Sequence, residues 1–376
     1  MKIAIICDWL VSPGGAEKVL DQLLSCYPQA DLFAVLDQMD PQKRGFLRNK
    51  PVKTTFIQKF PFVKKHYRTY LPFMPLAVEQ LDLSSYELVI SSSHAVAKGI
   101  ITGPHQLHIS YTHTPMRYAW DLQHHYLQET GLDKKLVGYL ARYFLHRLRA
   151  WDLQSALRVD HFIANSQFIA RRIMKTYRRS ALVIYPPVDL TQFHPSSQKE
   201  EFYLAASRLV PYKKMDLIVE SFQAMPDKKL MVIGEGPDAN KIKRKAGSNV
   251  EILGALSKEK LTHYLQRAKA LIFAAEEDFG LIPVEAQACG TPVIAYGKGG
   301  VLETVRDLSH DHPTGVFFNE QNIAEIIAAI KTFETHQALF TLENCVENAK
   351  RFSAHHFQTQ FKAFVDEKLK EFFNRP

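Results

Sequence analysis

The chain has 376 residues, too many for one ordinary domain and enough for two or three. Hydrophobic residues make up 46% and charged residues 23%, the balance of a soluble globular protein rather than of a disordered or fibrous one. The formal net charge of +8 favours anionic partners (nucleotides, nucleic acid or acidic lipid) and does not by itself choose among them.

No apolar run is long enough to span a bilayer. The opening MKIAIICDWL has the look of a short signal core, but it reaches Asp8 at once and no small-residue cleavage site follows, so a buried first strand is predicted. Cys7, Cys26, Cys289 and Cys345 are scattered, without zinc spacing. They read as reduced, buried thiols of a cytoplasmic protein.

In chain order, Lys2 to Cys7 is an apolar strand ending at Asp8, Pro13-Gly14-Gly15 is a turn, and Ala16 to Leu24 repeats apolar residues at helical spacing. This strand, glycine loop and helix open a parallel α/β layer. Further strands are predicted over Leu32 to Leu36, Glu87 to Ser91, Leu107 to Tyr111 and His161 to Ala164, with a long helix over Lys135 to Leu157. Tyr185-Pro-Pro-Val-Asp189 and the polar Ser196 to Glu200 read as an interdomain linker. A second α/β series follows: strands at Phe202 to Ser207, Lys229 to Ile233, Val250 to Leu253, Ala270 to Phe273 and Pro292 to Ala295, and helices at Met215 to Ala224 and Leu281 to Ala288. Ser353 to Phe373 is an amphipathic helix with Phe357, Phe361, Phe364 and Leu369 near one stripe. The whole is α/β, two doubly wound halves.

The most specific stretch for chemistry is Glu277-Asp-Phe-Gly-Leu-Ile-Pro-Val-Glu285. Pro283 suits a first helical turn. The backbone amides near Phe279, Gly280 and Leu281 then stand at a positive helix end, a place where a diphosphate binds. Glu277 before the helix and Glu285 on it offer carboxylates to sugar and ribose hydroxyls. Arg208 and Lys213, in Ser207-Arg-Leu-Val-Pro-Tyr-Lys-Lys214, follow a strand and precede a helix, where ligands bind in such folds. They are suited to neutralising a diphosphate leaving group without a metal, from a loop whose truncation leaves folding nearly unchanged. Lys214 reads as a solvated turn cation. Gly14 and Gly15 allow backbone amides near a phosphate but match no named nucleotide loop. His113, in Tyr111-Thr-His-Thr-Pro-Met-Arg117, lies at a strand's carboxyl end, placed to touch a sugar. Asp37-Gln-Met-Asp40 is not D-x-D, and His310-Asp-His312 reads as a surface loop, so no metal site is expected.

With these residues in place, the chain resembles a family 4 retaining glycosyltransferase of the GT-B fold. Glu277 to Glu285 matches that family's E-x7-E motif, Arg208 and Lys213 its cationic diphosphate pair, and Gly14-Gly15 its N-terminal glycine loop. Gly234-Glu-Gly-Pro237 matches its second-domain loop and Gly299-Gly-Val-Leu-Glu303 its donor-site turn. Ser91 to Ala97, Tyr111 to Tyr118 and Tyr185 to Asp189 look most like a bacterial mannosyltransferase branch that builds O-antigen and exopolysaccharide. The resemblance implies two Rossmann-like domains facing across a cleft near residue 190. Residues 1–188 would bind the acceptor, residues 189–352 the nucleotide-sugar, and residues 353–376 would pack back on the first domain. It implies GDP-mannose as donor, no cofactor and no metal, Arg208 and Lys213 on the diphosphate, Glu277 on the donor sugar, Glu285 on the ribose and His113 beside the sugar. The alternatives are a UDP-sugar donor or a silent nucleotide-sugar binder. A nucleic-acid partner is not expected, because no recognition motif accompanies the charge. The acceptor is expected to be a lipid-linked glycan at the inner face of the cytoplasmic membrane. Phe56 to Pro75, which mixes aromatics with Lys59, Lys64, Lys65 and Arg68, is the expected contact with anionic lipid.

Overall fold

A computed structural model describes residues 1–129, 131 and 137–374. The chain divides into two compact units, Met1–Pro186 with Phe357–Pro376, and Pro187–His356.

The first unit is built on a seven-stranded sheet. Its strands are β1 (Ile3–Leu10), β2 (Asp31–Asp37), β3 (Val52–Thr54), β4 (Leu88–Ser93), β5 (Leu107–Thr112), β6 (His161–Ala164) and β7 (Ala181–Val183), in the order β3-β2-β1-β4-β5-β6-β7. Every pairing is parallel. A central parallel strand is covered on both faces, so it must be apolar throughout rather than alternating. β1 reads IAIICDWL and is buried along almost its whole length. The helix Gly15–Cys26 turns Val19, Leu20, Leu23 and Leu24 to one side of the sheet.

The C-terminal helix Ala354–Phe373 covers the same side. Phe357, Phe361 and Val365, one helical turn apart, are fully buried there. The Phe357 ring lies 5.8 Å from Tyr111 and the Phe361 ring 6.4 Å from Tyr27. Burying each such ring contributes on the order of 1.5–3 kcal/mol, which fixes the end of the chain to the first sheet although 170 residues of the other unit intervene.

The second unit holds β8 (Phe202–Ala206), β9 (Lys229–Ile233), β10 (Val250–Gly254), β11 (Ala270–Phe273), β12 (Val293–Tyr296) and β13 (Gly315–Phe318), ordered β10-β9-β8-β11-β12-β13 and again parallel throughout. In each sheet the order reverses beside the first strand, between β1 and β4 in one and between β8 and β11 in the other. Connections leave such neighbouring strands toward opposite faces, which opens a crevice at their carboxyl ends. The expected strands sit within two residues of their observed bounds, except that β1 runs three residues past Cys7 to Leu10, while β3, β7 and β13 are additional. The long helix is observed over Val137–Ala156; Lys135 and Leu136 lie outside the described residues.

Phe56 to Pro75 folds into short turns of helix. Phe60 is ringed by Tyr70 at 5.0 Å, Phe56 at 5.7 Å and Phe73 at 6.2 Å, and Phe60, Tyr67, Tyr70 and Leu71 pack on the core. Ile57, Val63 and Met74 are buried, and Phe56, Phe62 and Phe73 are the exposed aromatics of the segment. Among the described residues no helix is long and apolar enough to cross a membrane.

Candidate functional site

At the crevice of the second sheet, the loop after β8 carries Arg208 and Lys213 and the loop after β11 carries Glu277. Pro211–Lys213 is a single 3-10 turn, and Lys214 follows it in the left-handed region, φ 55°. The two cations converge on one ring. Arg208 Nη2 donates to Tyr212 Oη at 3.0 Å, and Lys213 Nζ stands 5.3 Å from the centre of the Tyr212 ring. Lys213 is not a solvated loop cation: it forms an ion pair with Glu277, both side chains being largely buried. The pair joins the loops of two adjacent strands, and neither its existence nor the part taken by Tyr212 is visible in the motif.

The Gly234-Glu-Gly-Pro237 loop acts on this arrangement from below. Ser207 N donates to Ile233 O, Leu209 N to Glu235 O and Asp238 N to Leu209 O, at 2.9–3.0 Å. Gly234 has φ 145°, and a Cβ there would fall 1.8 Å from the Ser207 carbonyl oxygen. Only glycine permits the approach that holds the Arg208 loop in place.

The helix Leu281–Ala288 starts after Gly280, with Phe279 buried against Phe352 at 5.5 Å. The Gly299-Gly300 turn packs under the Glu277 loop: Gly300 N donates to Glu277 O at 2.8 Å, and a Cβ on Gly300 would lie 2.4 Å from Phe279 Cα. Glu285 is buried on this helix. Gln287, on the same helix, donates to Pro283 O at 3.0 Å and Thr304 O at 2.9 Å and accepts from Asn348 at 2.6 Å. The helix is thereby pinned to its neighbours by a satisfied polar network. Two cations and a helix N-terminus on adjacent loops can neutralise a diphosphate, and Glu277 can accept hydrogen bonds from hydroxyls.

The crevice of the first sheet contains residues that the motifs did not name. Asp8, at the end of β1, accepts from the backbone amides of His94 (2.6 Å), Ala95 (3.0 Å), Val96 (2.6 Å) and Ala97 (2.7 Å) and faces His94 Nδ1 at 2.9 Å. Burial works to raise its pKa, but the His94 charge and these hydrogen bonds prevail and hold it at about 2. Burial likewise works to lower the His94 pKa, and Asp8 raises it on balance. His94 packs edge-on to Trp9 at 4.7 Å and lies 6.3 Å from His113.

His113 follows β5, its Nε2 2.9 Å from Ser92 Oγ and its carbonyl accepting from Asn165 Nδ2 at 3.1 Å. Burial first, and then the neighbouring His94 charge, push its pKa down to about 3, so its ring is neutral at pH 7. Gly14 caps the helix Gly15–Cys26 with an extended backbone. Glu17 reaches back to the Gly14 amide as in a capping box, so one amide expected to face a phosphate is already engaged. Burial raises the Glu17 pKa. Asp8 was visible as a charge ending an apolar strand, and His94 as a histidine just past a strand, the same signal that marked His113.

His310 and its neighbours lie on an exposed loop, and among the described residues no group of three or more metal-capable side chains converges.

Comparison with known proteins agrees with this geometry. Residues 13–192 match the family described as Glycosyltransferase Family 4, and residues 189–352 match Glycosyl transferases group 1. The D-inositol 3-phosphate glycosyltransferase of Mycobacterium sp. (strain JLS) is 26% identical over 220 residues, 52% of this chain and 49% of that protein. That of Mycobacterium leprae (strain Br4923) is 28% identical over 174 residues, covering 39% and 40%. The chain thus spans about half the length of the curated relatives it matches. Among solved structures, Anabaena Alr3699/HepE in complex with UDP and glucose is 19% identical with a TM-score of 0.70, over 97% of this chain and 99% of that one. The sucrose-phosphate synthase of Thermosynechococcus elongatus is 16% identical with a TM-score of 0.73, over 99% and 100%. These structures share the two-domain GT-B fold, and since the two family matches together run from residue 13 to residue 352, the chain belongs to the family 4 glycosyltransferases.

Proposed function

We propose that the chain transfers a hexosyl group, mannose from GDP-mannose, to a lipid-linked glycan acceptor in bacterial surface polysaccharide synthesis, with retention at the anomeric carbon. The observation that carries the transferase reading is the convergence of Arg208, Lys213 and Glu277 on adjacent loops at the reversal point of the second sheet. Arg208 and Lys213 stabilise the departing diphosphate, which takes the bonding pair from the sugar carbon. Glu277 binds donor sugar hydroxyls and orients the Lys213 ammonium, and Glu285 takes the ribose. Backbone amides around Phe279, Gly280 and Leu281 line the donor. The acceptor oxygen bonds to the same face of the carbon, and its proton passes to the leaving phosphate oxygen. His113, neutral, lies beside the sugar, and His94, held by Asp8, joins it. No metal or cofactor takes part. The enzyme works at the cytoplasmic leaflet as a peripheral protein.

The mannose assignment rests on the resemblance of the stretches around His94, His113 and Tyr185. A second reading, a UDP-sugar donor, is favoured by the Anabaena structures of the same fold, one of which is a complex with UDP-glucose. Thermal shifts with GDP, UDP, ADP and their sugars, followed by transfer assays in chelator, separate the two. A ligand at about one hundred times its Kd stabilises the native state by about 2.7 kcal/mol. GDP and GDP-mannose are expected to give the largest shift. Preference for a UDP-sugar removes mannose and leaves the reaction class, whereas no response to any nucleotide removes both.

A further inference from the structure

We propose that the exposed face of the helix Val137–Ala156 is the surface by which the protein docks on anionic lipid. The inference rests on the reading of a lipid-linked acceptor and relocates the contact from the segment around Lys64.

The helix packs with Leu148, Asp152, Ser155 and Ala156 inward. Asp152 is buried in an ion pair with Lys98 and also accepts from Trp120 Nε1 at 2.7 Å and Tyr177 Oη at 2.8 Å, which anchors the inward face. On the other side the first turns present large apolar groups: Tyr139 is 73% exposed, Tyr143 57% and Leu140 55%. Soluble surfaces rarely gather so many at one place without a partner. The cations lie among them. Arg142 stands 5.7 Å from the Tyr139 ring, and Arg147 is exposed one turn beyond Tyr143.

The charge pattern selects the occupant. Asp152 is the one carboxylate of Val137–Ala156, and it is buried, so among the described residues of this helix the exposed face carries no negative charge. A symmetric pairing of two copies through this face would bring arginine toward arginine. An anionic bilayer instead offers headgroups to the guanidinium groups and an interface in which tyrosine is at home. Leu145 and Trp151 of this helix join the same core cluster as Phe60 and Tyr67, so the helix and the Lys64 segment cover one side of the first sheet.

The experiment uses the full chain and vesicles of phosphatidylcholine with and without phosphatidylglycerol. Two variants address the helix, Tyr139→Ser with Leu140→Ser and Tyr143→Ser, and Arg142→Glu with Arg147→Glu. A third, Lys64→Glu with Lys65→Glu and Arg68→Glu, addresses the other segment. Each helix variant is expected to lower partition onto anionic vesicles by about tenfold or more, with an unchanged melting temperature and unchanged transfer to a soluble acceptor. The third is expected to retain most binding. Leu140→Cys carrying an environment-sensitive fluorophore, labelled selectively because the four native cysteines are buried, is expected to shift to the blue on anionic vesicles. Loss of binding in the third variant alone overturns the proposal and leaves the membrane reading standing. Failure of the native chain to bind any vesicle overturns both. Self-association in sedimentation velocity that the helix variants abolish, without lipid binding, shows the face to be a dimer contact and overturns the proposal.

Discussion

Lys213→Ala tests the centre of the proposed chemistry. In the ligand-free protein Lys213 is paired with Glu277, and the side chains are only 13% and 19% exposed. Two unit charges at contact interact by about 4 kcal/mol at an effective dielectric of 20, most of it offset by desolvation. Truncation leaves a largely buried carboxylate without its cation, so folding stability should fall by about 1–3 kcal/mol. The sequence-based expectation of nearly unchanged folding, made because the residue sits in a predicted loop, took no account of this buried pair. Turnover should fall by roughly 10²–10³, the cost of removing one donor to a developing anion. The double variant Lys213→Ala with Glu277→Gln separates the two effects. Neutralising Glu277 should restore most of the lost stability, read by urea denaturation, while steady-state turnover stays at or below that of Lys213→Ala. Recovery of turnover in the double variant would refute the assignment of Lys213 to the leaving diphosphate. So would an equal loss of turnover in Lys214→Ala.

Gly234→Ala should cost about 3 kcal/mol or more, because its Cβ meets the Ser207 carbonyl and φ is 145°. Nucleotide-induced thermal shifts should weaken with it, since the Arg208 loop must move. Lys214→Gly should leave turnover unchanged and raise stability by up to about 1 kcal/mol in denaturant titration, because glycine relieves the left-handed backbone at φ 55°. Asp8→Asn should destabilise by about 3–5 kcal/mol at pH 7, since an amide nitrogen cannot replace either oxygen without orphaning two of the N–H groups it accepts from. The folded pKa of Asp8 is lowered to about 2 from an ordinary 3.8, so its contribution of about 2 kcal/mol is present above pH 4 and is lost as pH falls toward 2. The His94 pKa is raised, so its share is present below about pH 6.5 and is lost as pH rises through the folded value. Stability measured against pH should lose both slopes in Asp8→Asn.

How far the site could be read in advance follows from the range of each interaction. The helix Leu281–Ala288 and the loops at Arg208 and Gly234 were legible because their determinants are local: a proline in a first turn, a glycine at a left-handed or crowded backbone, a cation just past an apolar strand. The two parallel sheets were legible for the same reason, since strands buried on both faces read as short apolar runs. β3 and β7 escaped because VKT and ALV are too short to show a period, and their place is set by the strand beside them. The aromatic segment around Phe60 was legible only in part, since composition does not tell whether rings face one another, as Phe60 and Tyr70 do, or the solvent, as Phe62 does.

The Asp8 cluster lies beyond local reading for a topological reason. Asp8 and the amides of residues 94–97 are more than 85 positions apart, and they meet because β4 pairs with β1 across the point where the strand order reverses. That reversal leaves the first turn after β4 with amides directed at the end of β1. An anion must satisfy them, and here a side chain does so permanently. The carboxylate then raises the pKa of His94, and charge on His94 adds to the burial that lowers the pKa of His113. In the second sheet the corresponding reversal places Lys213 beside Glu277, but there the charges balance across two loops whose other donors remain suited to a diphosphate. One topology used twice thus yields a crevice whose anion is built into the chain and another whose anion is proposed to arrive with the donor.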